Sequence, residues 1–377
     1  MSKRYRVGIV GFGHVHVNHV AALYDSHPQA QIVACADTRP LQPELRIAPY
    51  TRQWNRDYVV KQCRIQKCYD DYHEMLERET FDVVIVTCEN AQHPDVVGAC
   101  AQAGANVCVE KPMAASLAGA LRMARACRAA GTTMIVNWPS PWLPHARKAK
   151  ELIDSGVIGR VLEVDYRVGD SGTLGPGAQH RIAETAAPMT GPERAATWWH
   201  QAAAGGGALL DLCCYGAMYS RWYVGEPATA ALGLKANLDS QWGDAEDNGA
   251  VLVRFPRAIA VAQGSWTTFG KEYLQTGPVT VYGSSGILTF NVYGDRPVVR
   301  VERPGGTETE LHESDPLPAH RTNVAEELLH HLETGEPLYP TLTSDFNLEV
   351  MAIIDAGARS AASGRLETVN SAAWGVA

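Results

Sequence analysis

Runs suited to strands and runs suited to helices alternate through about the first 135 residues, and that alternation admits few architectures. The apolar run Arg6 to Val10 ends at Gly11, and His14 to Tyr24 then puts Val17, Val20, Ala21 and Tyr24 on one helical face. Gln31 to Ala36 is a second apolar run, closed by Asp37. Leu45 to Lys61 is charged and aromatic; it reads as a helix longer than a minimal crossover requires, and so as an insertion. A short helix over Asp71 to Glu79 precedes Phe81 to Thr87, a continuous apolar run of the kind that parallel sheets bury on both faces. Asp95 to Ala103, Asn106 to Val109, Ser116 to Ala129 and Thr133 to Val136 continue as helix, strand, helix and strand. Parallel neighbours need crossovers of this kind. The fold class is therefore α/β, a doubly wound Rossmann parallel sheet.

After Pro139 the pattern changes. His145 to Ser155 reads as a helix, Val161 to Val168 alternates, and Gly169 to Ala196 is rich in Gly, Pro and Ala. Gly205 to Tyr223 reads as one helix entered through three glycines. Strand-like runs from Ala228 to Val301, punctuated by Gly, Asn and Asp, predict an open, mainly antiparallel sheet. Asn323 to Glu333 and Phe346 to Ser363 close the chain as helices. The expected division is a dinucleotide-binding domain over 1–137 and an α+β domain for substrate binding and self-association over 138–377.

The net charge of −8 argues against nucleic acid or an anionic membrane as the main partner, because both reward clustered Lys and Arg. No run approaches the roughly 18–20 apolar residues of a membrane span. The N-terminal MSKRYRVGIVGFG enters a strand directly, without the apolar region of a secretory signal, so the expected location is cytoplasmic. Nine cysteines without a CxxC read as reduced thiols, with no disulfide framework and no zinc site.

Gly11-Phe12-Gly13-His14-Val15 forms a GxG turn between the first strand and the first helix. Glycine there lets the backbone approach a pyrophosphate, and the helix N-terminus adds partial positive charge. The third glycine of the fingerprint is replaced by His16. Asp37, at the end of the second strand, stands where an acid accepts hydrogen bonds from ribose hydroxyls. With Thr38 it forms the adenosine side of the predicted site. Asp37 repels a 2′-phosphate, which favours NAD over NADP, and Arg39 nearby offsets part of that repulsion. His14, His16 and His19 have no carboxylate or thiol beside them in sequence, so no metal is expected.

Glu110-Lys111-Pro112 follows a strand. Thr87-Cys88-Glu89-Asn90-Ala91-Gln92-His93 lies upstream, and Gly205-Gly206-Gly207-Ala208-Leu209-Leu210-Asp211 downstream. This ordered set resembles the Gfo/Idh/MocA family, the glucose–fructose oxidoreductase, inositol dehydrogenase and rhizopine-catabolism group, over about residues 5 to 365. The resemblance implies a Rossmann domain followed by a domain with an open sheet, NAD or NADP as cofactor, and sugar, cyclitol or polyol substrates. It also implies a homodimer or homotetramer. It places Thr87, Cys88, Glu89, Asn90, His93, Glu110 and Lys111 at the cofactor. The family's catalytic lysine maps to Lys111 and its aspartate to Asp211. Position 215 is Tyr, as in glucose–fructose oxidoreductase and dimeric dihydrodiol dehydrogenase, where inositol dehydrogenase-like members carry His.

Oxidising an alcohol requires a base within about 2.6–3.2 Å of the hydroxyl. Asp211 and Tyr215 are four apart, which on a helix gives them a common face. Tyr215 is the expected proton acceptor, with Lys111 binding the hydroxyl and stabilising the tyrosinate; the reverse assignment stays open. Trp138, Trp198, Trp199, His180 and His200 are further candidates for substrate contact, although buried tryptophans equally serve cores and interfaces. The leading function is hydride transfer between the nicotinamide and a secondary hydroxyl of a sugar, glycoside or cyclitol. Two alternatives are glycoside cleavage or epimerisation through transient oxidation by retained NAD, and a non-catalytic dinucleotide sensor or scaffold.

Overall fold

The computed structural model describes residues 3–172, 174, 179–180, 183–184, 188–240, 242–268, 278–292, 297–306 and 309–369. The first strands and helices are β1 (Tyr5–Val10), α1 (Val17–Ser26), β2 (Ala30–Ala36), α2 (Arg52–Gln62), β3 (Lys67–Tyr69), α3 (Tyr72–Arg78), β4 (Val83–Val86), α4 (His93–Gln102), β5 (Asn106–Glu110), α5 (Leu117–Ala130) and β6 (Met134–Asn137). They build a six-stranded sheet in the order β3-β2-β1-β4-β5-β6, every pair parallel. All four residues of β4 are buried, as its unbroken apolar run requires of a strand covered on both faces. Chain order reverses between β1 and β4. The crevice outside their carboxyl ends is where open α/β sheets bind ligands.

Two sequence expectations change here. The helix expected over Leu45 to Lys61 begins only at Arg52 and is the β2-to-β3 crossover, so it belongs to the sheet's winding and is no insertion. The strand it leads to, β3, has three residues and an exposed edge, too short for a periodic signal.

The second half comprises α6 (Pro144–Asp154), β7 (Val161–Gly169), the two-residue strands β8 (Gln179–His180) and β9 (Ala183–Glu184), α7 (Gly191–Ala195), α8 (Ala208–Asp211), α9 (Cys213–Val224), β10 (Ala230–Ala236), β11 (Asn248–Arg254), β12 (Ile259–Ser265), β13 (Val279–Gly283), β14 (Gly286–Phe290), β15 (Val298–Glu302), β16 (Glu310–Glu313), α10 (Val324–Thr334), α11 (Ser344–Ser363) and β17 (Glu367–Thr368). Nine described strands form one sheet, β16-β15-β14-β13-β7-β12-β11-β10-β17, antiparallel except where β7 meets β12. Helices α9 and α11 cover one face. The other face is open and carries exposed Leu232, Leu234, Leu252 and Ile259; Leu232 is paired directly with Leu252. The last two helices return to the first domain, α10 against α1 and α11 against α5. A bridge between Ile135 and Thr343 reinforces the join. No described helix is long and apolar enough to cross a membrane.

The single helix expected from Gly205 to Tyr223 is broken at Leu212. The amide of Tyr215 bonds to the carbonyl of Leu212, outside the i−4 pattern. The Asp211 carbonyl accepts instead from Lys111 Nζ at 3.0 Å and from the Cys214 thiol at 3.1 Å.

Candidate active site

Lys111 follows β5 directly, at the carboxyl rim of the first sheet. Its side chain is buried, and Nζ lies 2.7 Å from Asp211 Oδ1. It also lies 4.7 Å from the centroid of the Tyr215 ring. Burial alone disfavours an ammonium; the Asp211 carboxylate overrides it, with help from Tyr215, and raises the lysine well above its ordinary pKa. Tyr215 is half-buried, and Trp138 packs edge-on against it with centroids 5.4 Å apart. Trp138 is itself fully buried, its indole donating to Asn347 Oδ1 of α11 at 2.6 Å. The structure therefore brings Lys111, Asp211, Tyr215 and Trp138 together, with the tryptophan behind the phenol.

The neighbouring Glu110 is a buried anchor. Its carboxylate accepts from the Asn137 amide group, from the Lys111 backbone N–H at 3.1 Å and faces His16 Nδ1 at 3.2 Å. Burial pushes Glu110 up, but these partners outweigh it and hold the carboxyl below its usual range. Glu110 also corrects one sequence argument, since it is a carboxylate beside the histidines. Ligand atoms of His14, His16 and Glu110 lie within 4.8 Å of one another. Because Glu110 already serves three groups, the trio reads as a hydrogen-bonded anchor between α1 and β5.

The glycine turn occupies the crevice beside this cluster. Gly11 has φ +92, and a Cβ there would lie 2.4 Å from the Cys88 backbone nitrogen, so only glycine fits. Thr87 donates its hydroxyl to the Gly11 carbonyl at 2.7 Å, and its own carbonyl accepts from the His14 N–H at 2.9 Å. Val15 is buried next to them. Asp37 accepts from the backbone N–H groups of Phe12 (3.1 Å) and Thr38 (2.8 Å). Burial raises its pKa against the pull of Arg52 and these amides. The cation at Asp37 is Arg52, from the start of α2, which also pairs with Glu89. Arg39 offers its carbonyl to the Gln92 side chain at 2.8 Å. No local pattern marks Arg52, because its role depends on where the crossover helix begins.

Other expected residues have bracing positions. Asn90 donates to the Gly205 carbonyl at 2.8 Å, joining the two domains. His93 is buried between the carbonyls of Met113 (3.1 Å) and Cys88 (3.2 Å). Trp198 and Trp199 are buried against His14, at centroid distances of 5.9 and 4.9 Å, and the Trp198 indole donates to the Gly13 carbonyl at 2.7 Å. They pack on the glycine turn. His200, one residue on, lines a separate cavity. His180 lies in β8, but its side chain is outside the described residues.

Asp170, just past β7, was missed by sequence reasoning. It accepts from the Gly172 N–H at 2.7 Å and is pushed up to about 6, chiefly by burial and further by the nearby Asp211 charge, against the pull of Lys111. Nothing in a Gly- and Pro-rich stretch singles out one acid; only the fold sets it beside the Lys111–Asp211 pair.

These features fit a dinucleotide: a turn that only glycine can form, a carboxylate held by backbone amides at the second strand, and a switch-point crevice. Residues 5–138 match the description "Oxidoreductase family, NAD-binding Rossmann fold", and residues 146–289 match "GFO/IDH/MocA C-terminal domain". The chain is 28% identical over 170 residues to inositol 2-dehydrogenase of Salmonella typhimurium, covering 45% of this chain and 47% of that protein. The match thus spans about half the length of that relative. It is 28% identical over 303 residues to dTDP-3,4-didehydro-2,6-dideoxy-alpha-D-glucose 3-reductase of Streptomyces violaceoruber, covering 77% and 80%. Among solved structures, aldose-aldose oxidoreductase from Caulobacter crescentus complexed with glycerol superposes with a TM-score of 0.73 at 22% identity, covering 97% of this chain and 100% of that one. Levoglucosan dehydrogenase in complex with NADH and levoglucosan gives 0.73 at 18%, again covering 97% and 100%. At those identities the likeness is one of fold. With both family descriptions matched in order along the chain, this protein belongs to the Gfo/Idh/MocA oxidoreductases and carries their NAD-binding Rossmann domain.

Proposed function

We propose that the protein is an NAD-dependent dehydrogenase acting on a secondary hydroxyl of a sugar, glycoside or cyclitol. The observation that carries this reading is the buried ammonium of Lys111, held by Asp211 against the ring of Tyr215 at the rim of β5. NAD, when bound, supplies the hydride-accepting nicotinamide. Gly11, Phe12, Gly13, His14, Val15, Asp37, Thr38 and the Thr87–Asn90 segment would hold it. The Asp37 carboxylate favours NAD over NADP, since Arg52 is already committed to Asp37 and Glu89.

Lys111 donates a hydrogen bond to the substrate hydroxyl oxygen and favours the developing alkoxide. Tyr215, as the phenolate that the same ammonium stabilises, accepts the hydroxyl proton and becomes the neutral phenol, while the hydride passes to the nicotinamide. Asp211 keeps Lys111 charged and aimed, and Trp138 fixes the phenol ring. The Asp211 carboxylate favours the protonated form of Lys111, which supports the assignment of Tyr215 over the reverse. Relatives named as inositol and sugar dehydrogenases support a polyol substrate. The exposed aliphatic face of the second sheet supports a homodimer or homotetramer.

The test is cofactor reduction across a polyol and sugar panel. Lys111→Ala and Tyr215→Phe are each expected to lower kcat by about a hundredfold or more. Turnover unchanged in both variants rejects the assignment, and tight NAD binding without turnover by the parent chain favours a sensor.

A further inference from the structure

A cavity of about 320 Å³ opens beside the Trp198–His200 turn, with Arg194, His200, Trp242 and Trp266 in its wall. That volume is at the small end of ligand pockets, which run from about 300 Å³. Its polar groups are unbalanced. Arg194 is buried, with its guanidinium 5.0 Å from the centroid of the Trp242 ring, and no described carboxylate pairs with it. Nδ1 of His200 and the indole N–H groups of Trp242 and Trp266 are buried without hydrogen-bond partners among the described residues. The imidazole meets both indoles edge-on, at 6.1 and 5.4 Å. Natural proteins rarely leave such groups unsatisfied, and several at one cavity call for a bound partner.

The acids nearby do not serve Arg194. Asp247 accepts from the backbone N–H groups of Leu238 (2.8 Å), Asp239 (3.0 Å) and Ser240 (2.7 Å) and from the Asn248 side chain (2.9 Å), so its oxygens are occupied. Asp239 is exposed at the rim. The cavity thus offers a cation with no described carboxylate partner, N–H donors and aromatic walls. It also adjoins the proposed reaction centre. Asp170 interacts with both Asp211 and Lys111, and the next two residues, Ser171 and Gly172, line the cavity.

We propose that this cavity is a carboxylate subsite, in which Arg194 and the indole N–H groups hold the carboxylate of a sugar acid whose hydroxyl reaches Lys111. The inference rests on the dehydrogenase reading and narrows its substrate class to uronates and aldonates. A guanidinium takes a carboxylate through two parallel hydrogen bonds. A single cation beside a neutral imidazole balances one negative charge, whereas a phosphate monoester carries nearly two.

The experiment is calorimetric titration of the full-length, NAD-loaded protein with glucuronate, glucose and glucose-6-phosphate, alongside hydride-transfer assays on the same compounds. Glucuronate is expected to bind about tenfold tighter than glucose or more, and Arg194→Gln to bring that ratio close to one. Arg194→Lys, which keeps the charge but loses the fork, should retain part of it. If Arg194→Gln fails to fold, judged by circular dichroism, Arg194→Lys and Trp266→Phe carry the test through the same ratio. Equal affinity for acid and neutral sugar overturns the subsite, as does tighter binding of the phosphate or a preference that survives Arg194→Gln. Arg194-dependent acid binding without hydride transfer supports the subsite and rejects the dehydrogenase reading. Turnover of neutral sugars without acid preference does the opposite.

Discussion

At the scale of the residue, the site is governed by charges removed from water. Lys111 is favoured in its protonated form inside the protein chiefly by the Asp211 carboxylate that faces it. Removing one partner of a buried pair leaves the other unsatisfied, at about 3–5 kcal/mol. Asp211→Asn is expected to lower stability by roughly 3 kcal/mol, and Asp211→Asn with Lys111→Met by less, as read by denaturant unfolding. Asp170 has the opposite sign. Its folded pKa of about 6 lies above its ordinary value of 3.8, so the native state binds the extra proton. Its contribution is full below the lower value and is lost as pH rises through the upper one. Asp170→Asn should therefore melt at higher temperature than the parent above pH 6, with the gap closing below pH 4. His200 runs the other way: burial, then the Arg194 charge, lowers it to about 4 from 6.5. Its contribution holds above 6.5 and is lost as pH falls through 4. Thermal melts of His200→Gln across that window should show a shallower acid decline than the parent.

Elements explain how these side chains meet. The break at Leu212 frees the Asp211 carbonyl for Lys111, which an unbroken helix would have bonded to Tyr215. Helical spacing suggested a common face for Asp211 and Tyr215; both do reach Lys111, but across an interruption that no periodicity reveals. The glycine run upstream has its own constraint. A Cβ at Gly206 would lie 2.2 Å from the Trp199 carbonyl oxygen. Gly206→Ala should displace the Trp198–His200 turn and destabilise the fold by about 1–3 kcal/mol, visible as a lower melting temperature. The parent melting temperature in that variant means that the turn tolerates the shift.

At the scale of the whole molecule, α10 and α11 clamp the second domain to the first, while the nine-stranded sheet leaves one face bare. Leu234 is 72% exposed and Leu252 50%. Flat apolar faces of this kind associate. If the proposed dimer or tetramer forms there, Leu234→Lys with Leu252→Lys should yield monomers in sedimentation without loss of secondary structure. An unchanged mass places the interface elsewhere.

The doubly wound sheet, the glycine turn and Asp37 were legible in the chain, because each depends on local spacing: crossover lengths, a turn, a residue at a strand end; the Glu110-Lys111-Pro112 segment stood out through the family resemblance. Tertiary structure decided the rest. Arg52 reaches Asp37 from 15 positions away, Glu110 reaches His16 from 94, and Lys111 reaches Asp211 from 100. Arg194 has no described carboxylate partner, and nearby Asp247 is taken up by the amides of Leu238, Asp239 and Ser240. Such pairings follow from how distant segments are brought together and desolvated, and neither distance nor burial can be read from neighbours in sequence.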